Sequence, residues 1–302
     1  MLRLIADSGS TKTAWAMVEE NPHQPKIIHT AVTQGLNPLY VTAEEIATAL
    51  TQVLTEIGQG RPELLEFYGS GCSGERVALV EQALRSRLTP MTRVVVASDL
   101  TGAAKALSAP LKPETLLKTE TAKLETLKPS ETPNPFIACI LGTGAIASHY
   151  DPKSGELTPM SALGYILGDE GSGAWFGRHI LSDYLKDQMP DTAREAFEDD
   201  FGPITAEQAI RHVYQMPCPN RYLATFAAYL GRHADLRYAQ ELSYRGIESF
   251  WQRNVMRIDS EVRDVRLVGS VAWHLRPIIE QVAEYHDYIV TQVLKDPIEG
   301  LV

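Results

Sequence analysis

The chain has 302 residues, 44% hydrophobic and 22% charged, with 28 basic against 38 acidic side chains and a formal net charge of −10. That length exceeds the usual span of one hydrophobic core, so two domains are expected, and the acidic balance argues against a nucleic-acid footprint, which needs a basic face. Cys72, Cys139 and Cys218 are odd in number, widely spaced and without a CxxC, and no apolar run approaches the roughly 20 residues of a membrane span; no disulfide framework, zinc site, signal peptide or membrane anchor is read, and a cytoplasmic protein is expected.

Along the chain, an apolar run Leu2–Ala6 enters Asp7-Ser8-Gly9-Ser10-Thr11-Lys12-Thr13, and a second apolar run, Ala14–Val18, leads out. Apolar run, small polar turn, apolar run predicts a β-hairpin. Its tip combines a glycine, hydroxyls, one lysine and one carboxylate. From this stretch alone two readings stand: an ordinary Ser/Thr-rich tip, or a turn in which Gly9–Lys12 approaches an anionic oxygen cluster while Asp7 serves the accompanying Mg²⁺. Lys26–Val32 reads as a third strand and Gln34–Pro38 as a loop. A helix is predicted over Thr42–Ile57, with Thr42 as N-cap and Glu45 in the capping-box position. Strand Leu64–Tyr68, helix Glu75–Leu88, strand Arg93–Ala97 and helix Leu100–Leu107 follow, which implies an α/β domain with parallel strands.

Between that fourth strand and its helix lies Gly69-Ser70-Gly71-Cys72-Ser73-Gly74, a match to the dinucleotide fingerprint G-x-G-x-x-G. Asp99 follows the next strand, where a ribose-binding acid would stand, so an NAD-binding oxidoreductase is a competing reading. Ser108–Pro135 then changes composition to Lys, Glu, Thr, Leu and Pro and predicts an exposed excursion at the domain boundary.

Beyond it the opening design recurs: strand Phe136–Leu141, turn Gly142-Thr143-Gly144, apolar stretch to Tyr150. Leu163–Leu167 precedes Gly168-Asp169-Glu170-Gly171-Ser172-Gly173 and a helix to about Lys186. The paired carboxylates there are either a helix cap or ligands for hydroxyls or a metal. Pro190–Asn254 reads as mostly helical, with a break at Pro217–Asn220. Val265–Val268 is a last β-branched strand, and Gly269-Ser270 offers backbone access beside a flat ligand or a close helix–strand contact.

The ordered set DSGSTKT, GLNP, SDLTGAA, LGTG, LGYILGDEGSG, PNRYLATF and VGSVA resembles the N-acetylglucosamine kinase branch of the actin-like sugar kinase superfamily, often labelled the BadF/BadG/BcrA/BcrD ATPase family. It covers nearly the whole chain except Ser108–Pro135. The resemblance implies an α/β fold of two ribonuclease-H-like (actin-like ATPase) domains with ATP in an interdomain cleft. It implies that Gly9, Ser10, Thr11 and Lys12 with Gly142, Thr143 and Gly144 hold the phosphates, Asp7 the Mg²⁺, and Gly269 and Ser270 the adenosine. Asn37, Asp99, Leu163, Gly164 and Asp169 would face the sugar, with Asp99 as catalytic base. The expected domains are 1–107, an excursion 108–135, and 136–284 with a helical insertion, a C-terminal helix over about 285–302 returning to the first domain. The expected reaction is ATP-dependent phosphorylation of an amino sugar such as N-acetylglucosamine, without nucleic-acid or membrane partners and with a homodimer left open. Ala14 and Ala145-Ile146 stand where relatives often carry Asp and Ser-Asn, so a nucleotide- and sugar-binding sensor without efficient turnover is the second reading. Dehydratase-activator ATPases of the broader family need cluster-holding cysteines, and no cysteine here has that setting.

Overall fold

The computed structural model describes residues 1–21, 25–58, 60–109, 134–258 and 260–302; the expected excursion lies almost wholly outside them. The described residues form two compact units. One is Met1–Ala109 with Asp296–Val302, and the other falls within Pro110–Lys295.

Unit one contains β1 (Leu2–Ser8), β2 (Lys12–Glu19), β3 (Lys26–Gln34), α1 (Ala43–Ile57), β4 (Leu64–Gly69), α2 (Glu75–Arg85), β5 (Arg93–Ser98) and α3 (Asp99–Ser108). Its sheet runs β3-β2-β1-β4-β5. β1, β2 and β3 pair antiparallel, whereas β4 and β5 run parallel to β1. Leu4, Ile5 and Ala6 of β1 have no exposed surface, as a strand covered on both faces requires and as its unbroken apolar run foretells. One face carries Leu4, Trp15, Met17 and Phe67 against Ile46 and Leu50 of α1 and Val80 and Leu84 of α2. Each such large side chain contributes about 2–3 kcal/mol by leaving water. Against β1 and β4 packs α3. The α1 start is the predicted capping box: Glu45 N–H donates to Thr42 Oγ1 (3.2 Å) and Thr42 N–H to Glu45 Oε2 (2.7 Å).

Unit two repeats the plan. β6 (Phe136–Leu141), β7 (Ala145–Asp151) and β8 (Glu156–Pro159) pair antiparallel, and β9 (Asp264–Val268) and β10 (Ile289–Leu294) run parallel to β6, in the order β10-β9-β6-β7-β8. Each unit is therefore an antiparallel meander with two parallel strands added beside its first strand, the ribonuclease-H-like arrangement. Between β8 and β9 lie α4 (Gly164–Leu167), α5 (Gly173–Leu185), α6 (Asp191–Phe201), α7 (Ala206–Tyr214), α8 (Pro219–Thr225), α9 (Ala228–Arg232) and α10 (Arg237–Arg253). Their aromatic core includes Trp175, Phe176, Phe197, Tyr229, Phe250 and Trp251. α11 (Ser270–His274) and α12 (Arg276–Tyr285) separate β9 from β10.

The C-terminal stretch differs from the expected helix over about 285–302. Ile289–Leu294 is β10, and the only helix beyond it is α13 (Ile298–Leu301), which packs on α3 in unit one. Ile289, Val290, Thr291 and Val293 are β-branched, and residues 290–294 are buried beside β9; that setting favours a strand. Among the described residues no helix is long and apolar enough to cross a membrane.

Candidate active site

In unit one the hairpin tip and the following loop are locked as one piece. Gly9 N–H donates to Lys12 O (3.0 Å), and Gly35 N–H to Thr11 O (3.0 Å). Ser8 and Thr13 are fully buried and their hydroxyls meet at 2.8 Å. Ser8 Oγ also accepts Leu36 N–H (3.0 Å), while Thr13 donates to Gln34 O (2.9 Å). The seat of Asn37 is thus set by the turn that begins at Asp7.

Charge gathers at this end of the sheet. Burial pushes the Asp7 carboxyl up to about 7; the neighbouring carboxylates of Asp99 and Asp296 push the same way and Lys12 opposes them. Lys12 Nζ is itself bound to Asp296 Oδ1 at 2.7 Å. Asp296 arrives from the far end of the chain.

Asp99 is the first residue of α3, behind the N-cap Ser98, whose Oγ accepts Thr101 N–H (3.1 Å). Burial raises the Asp99 carboxyl above its ordinary range. Working against that is first Leu100 N–H, which donates to Oδ1 at 2.9 Å, and then the nearby Ser70 hydroxyl and the residue's own N–H. Position at a helix N-terminus favours the charge as well. Asn37, only 4% exposed, accepts Leu39 N–H at Oδ1 (2.9 Å) and turns Nδ2 toward Ser70 Oγ (3.5 Å).

Unit two builds its turn differently. Gly142 N–H closes onto Gly144 O (3.0 Å), and the carbonyls of Gly142 and Thr143 accept Gly173 N–H (2.8 Å) and Ala174 N–H (3.1 Å) at the start of α5. The helix N-terminus is thereby taken up in holding the turn. Asp169 Oδ1 accepts Ala145 N–H (3.3 Å), and burial raises its carboxyl, with Glu170 adding and Ala145 N–H opposing. Glu170 pairs instead with Arg253 (2.9 Å). Gly269 has φ +125°, and a Cβ there would lie 2.3 Å from Leu141 O, so only glycine lets β9 end against the turn.

Thus Asp7, Gly9, Ser10, Thr11, Lys12, Asn37 and Asp99 converge in unit one. Gly142, Thr143, Gly144, Asp169 and Gly269 converge in unit two, with Ser270 opening α11. Leu163 and Gly164 are exposed at α4, five or six residues before Asp169. Sequence reasoning missed Ser70, Gly71 and Asp296. The signal for the first two lay in the Gly69–Gly74 match, weighed only as a competing dinucleotide fingerprint; Gly71, at φ +79°, packs on Asn37, where a Cβ would meet Oδ1 at 2.3 Å. Nothing local marks Asp296.

Neither a protein-family profile nor a curated protein matches the chain. Among solved structures, a proposed N-acetylglucosamine kinase from Porphyromonas gingivalis is 36% identical, with 99% of this chain and 96% of that one covered and a TM-score of 0.82. The chain belongs to the N-acetylglucosamine kinase branch of the actin-like sugar kinases. Two more distant likenesses agree with this family in fold. A second proposed N-acetylglucosamine kinase, from Chromobacterium violaceum, shares 18% identity over 99% and 96% of the two chains with a TM-score of 0.63. The hexokinase of Schistosoma mansoni, in complex with glucose, shares 13% over 98% and 81% with a TM-score of 0.50.

The residues present suit the nucleotide and cation that sugar kinases use. Asp99 and Asp296 add negative charge beside Asp7, and Lys12, which opposes them, is already paired with Asp296. Among the described residues no three or more His, Cys, Asp or Glu side chains form a metal-holding group on their own. Mg²⁺ fits such a place, because it takes one or two carboxylates and completes its shell with substrate phosphates and water.

Proposed function

We propose that this sugar kinase phosphorylates an amino sugar, most simply N-acetylglucosamine, at the expense of ATP, with Asp99 as the base. What carries the reading is the Asp99 carboxylate: it is buried at the start of α3, where Leu100 N–H donates to Oδ1 at 2.9 Å. Membership of the N-acetylglucosamine kinase branch supports the substrate class.

Bound MgATP supplies the phosphoryl group and neutralises the charge that develops during its transfer. Asp7 would hold the cation. Gly9–Lys12 and Gly142–Gly144 would hold the phosphates through backbone N–H groups and hydroxyls, and Gly269-Ser270 would lie against the adenosine. Asn37, Leu163, Gly164 and Asp169 would orient the sugar. Asp99 accepts the proton of the attacking hydroxyl late in the transfer; burial raises its carboxyl, which strengthens it as a base, and Leu100 N–H opposes that rise. Lys12 must exchange Asp296 for a phosphate oxygen to take part.

The test is a thermal-shift panel of N-acetylglucosamine, glucosamine and glucose with and without MgATP, followed by coupled ADP-release kinetics. Turnover with an amino sugar, lowered about 10²-fold or more in Asp99→Asn with sugar binding retained, supports the proposal. Sugar-induced stabilisation without ADP formation would leave the sensor reading. Full turnover in Asp99→Asn would remove the base.

A further inference from the structure

The hairpin tip Asp7–Thr13 carries a single cation, Lys12. Its Nζ donates to Asp296 Oδ1 at 2.7 Å, across 284 positions of the chain. Asp296 has no part in the kinase reading, yet it occupies the side chain that would neutralise a phosphate.

This carboxylate is not carried on a loose end. Two residues earlier Leu294, buried at the end of β10, accepts Gly269 N–H at its carbonyl (3.0 Å). Directly after Asp296, Pro297 at φ −57° leads into α13. Gly300 of α13 lies so close to α3 that a Cβ there would stand 2.3 Å from Ala106 O, and Leu301 is buried. The same short helix touches β1 and β2, the two strands of the hairpin. A fixed strand end on one side and a packed helix on the other therefore set the Asp296 backbone, and its side chain reaches Lys12 from an anchored position. It also stands near enough to Asp7 to push that carboxyl upward.

Elementary electrostatics gives the consequence. The Lys12 ammonium has three donors, so a phosphate oxygen can meet it in two ways. If Asp296 stays, phosphate and carboxylate crowd around one positive charge and repel each other. If Asp296 leaves, the ion pair is lost. Either way Lys12 does not compensate the phosphate charge in full. A triphosphate without its cation brings the most negative charge and meets the largest penalty, whereas one that carries Mg²⁺ arrives partly neutralised.

We infer that Asp296 is a specificity-determining residue for the nucleotide: by occupying Lys12 it disfavours metal-free triphosphate and reserves the hairpin tip for nucleotide that brings its own cation. This rests on the reading of Gly9–Lys12 as a phosphate-binding turn. The cation neutralises charge that develops in phosphoryl transfer, so nucleotide without it would fill the site unproductively, and Asp296 keeps it out.

The experiment measures ATP binding by isothermal calorimetry, in EDTA and in excess Mg²⁺, for wild type, Asp296→Asn, Asp296→Glu, Glu299→Gln and Lys12→Met, each variant's melting temperature being recorded. The Lys12 and Asp296 side chains are 57% and 28% exposed, so the substitutions leave the fold intact. That exposure holds the expected gain of Asp296→Asn for metal-free ATP to about five- to tenfold. Binding of MgATP by the same variant stays within about twofold of wild type, its charge being already offset. Asp296→Glu returns the carboxylate and most of the discrimination. Glu299→Gln, which removes an exposed charge three residues further on, changes metal-free binding by less than about twofold. Lys12→Met weakens ATP binding in both conditions. Metal-free binding by Asp296→Asn that is no tighter than in wild type, or an equal gain in EDTA and in Mg²⁺, would overturn the inference; weakened binding by Lys12→Met would still support the phosphate reading. A gain in Glu299→Gln equal to that in Asp296→Asn would assign the effect to net charge and also overturn it. Unchanged ATP binding in Lys12→Met, or no MgATP binding in wild type, would remove the phosphate reading and this inference together.

Discussion

The Asp7 carboxyl provides a quantitative test of the charge cluster in unit one. Its folded-state pKa stands at about 7 against an ordinary 3.8, chiefly through burial and then through Asp99 and Asp296. A raised folded pKa means that the proton is held more tightly in the native state. The contribution to stability is complete below about pH 4 and disappears as the pH rises through 7. The gap of about three units corresponds to about 4 kcal/mol at full burial. Part of the Asp7 side chain still touches solvent, and screening brings the working figure nearer about 2 kcal/mol. Asp7→Asn keeps the shape and removes the charge. In EDTA, which keeps divalent cations from holding the carboxylate ionised, the variant should melt about 4 °C above wild type at pH 8.5. At pH 5 the gain should fall below half of that. Differential scanning calorimetry of the two proteins at the two pH values decides the matter. A gain that is the same at both pH values, or a less stable variant at pH 8.5, would refute the argument that Asp7 is a strained carboxylate in the free protein. In the same variant, MgATP should stabilise less than it does in wild type, because the proposed cation ligand is gone.

Two further outcomes follow from local geometry. Gly71→Ala must place a methyl 2.3 Å from Asn37 Oδ1 at φ +79°; it should cost about 1–3 kcal/mol in chemical denaturation and weaken N-acetylglucosamine binding in calorimetry while ATP affinity stays within about twofold, whereas NAD(H) should bind to neither form. Ser172→Ala removes the cap that accepts Trp175 N–H at 3.1 Å; it should cost about 1–2 kcal/mol and raise KM for ATP, since α5 seats the Gly142–Gly144 turn, and an unchanged KM would separate that turn from nucleotide binding.

Where contacts are local, the amino-acid order alone determined the structure. The capping box of Thr42 and Glu45 lies within four consecutive residues, and its hydrogen bonds need nothing from the rest of the chain. Both hairpins, with tips at Asp7–Thr13 and Gly142–Gly144, are likewise written in an apolar run, a polar glycine turn and a second apolar run. Asp99 was legible as a carboxylate at a strand-to-helix junction because Ser98 caps the helix one residue before it. The ordered motifs carried the family, since seven short stretches in fixed order constrain far more than any one of them.

What lay beyond sequence reading depends on long-range packing. Ile289–Leu294 is a strand because β9 and the core of unit two lie beside it; its last five residues alone read equally well as a buried helical segment. The Gly69–Gly74 loop shows the same limit in a motif. Its glycines promise a close backbone approach, and the tertiary structure decides to what: Asn37, more than thirty residues earlier in the chain. Lys12 and Asp296, 284 residues apart, form an ion pair that no periodicity or spacing could announce. Hydrogen bonds and charges act over a few ångströms in space whatever their separation along the chain, so such partners become known only when the fold has closed the distance.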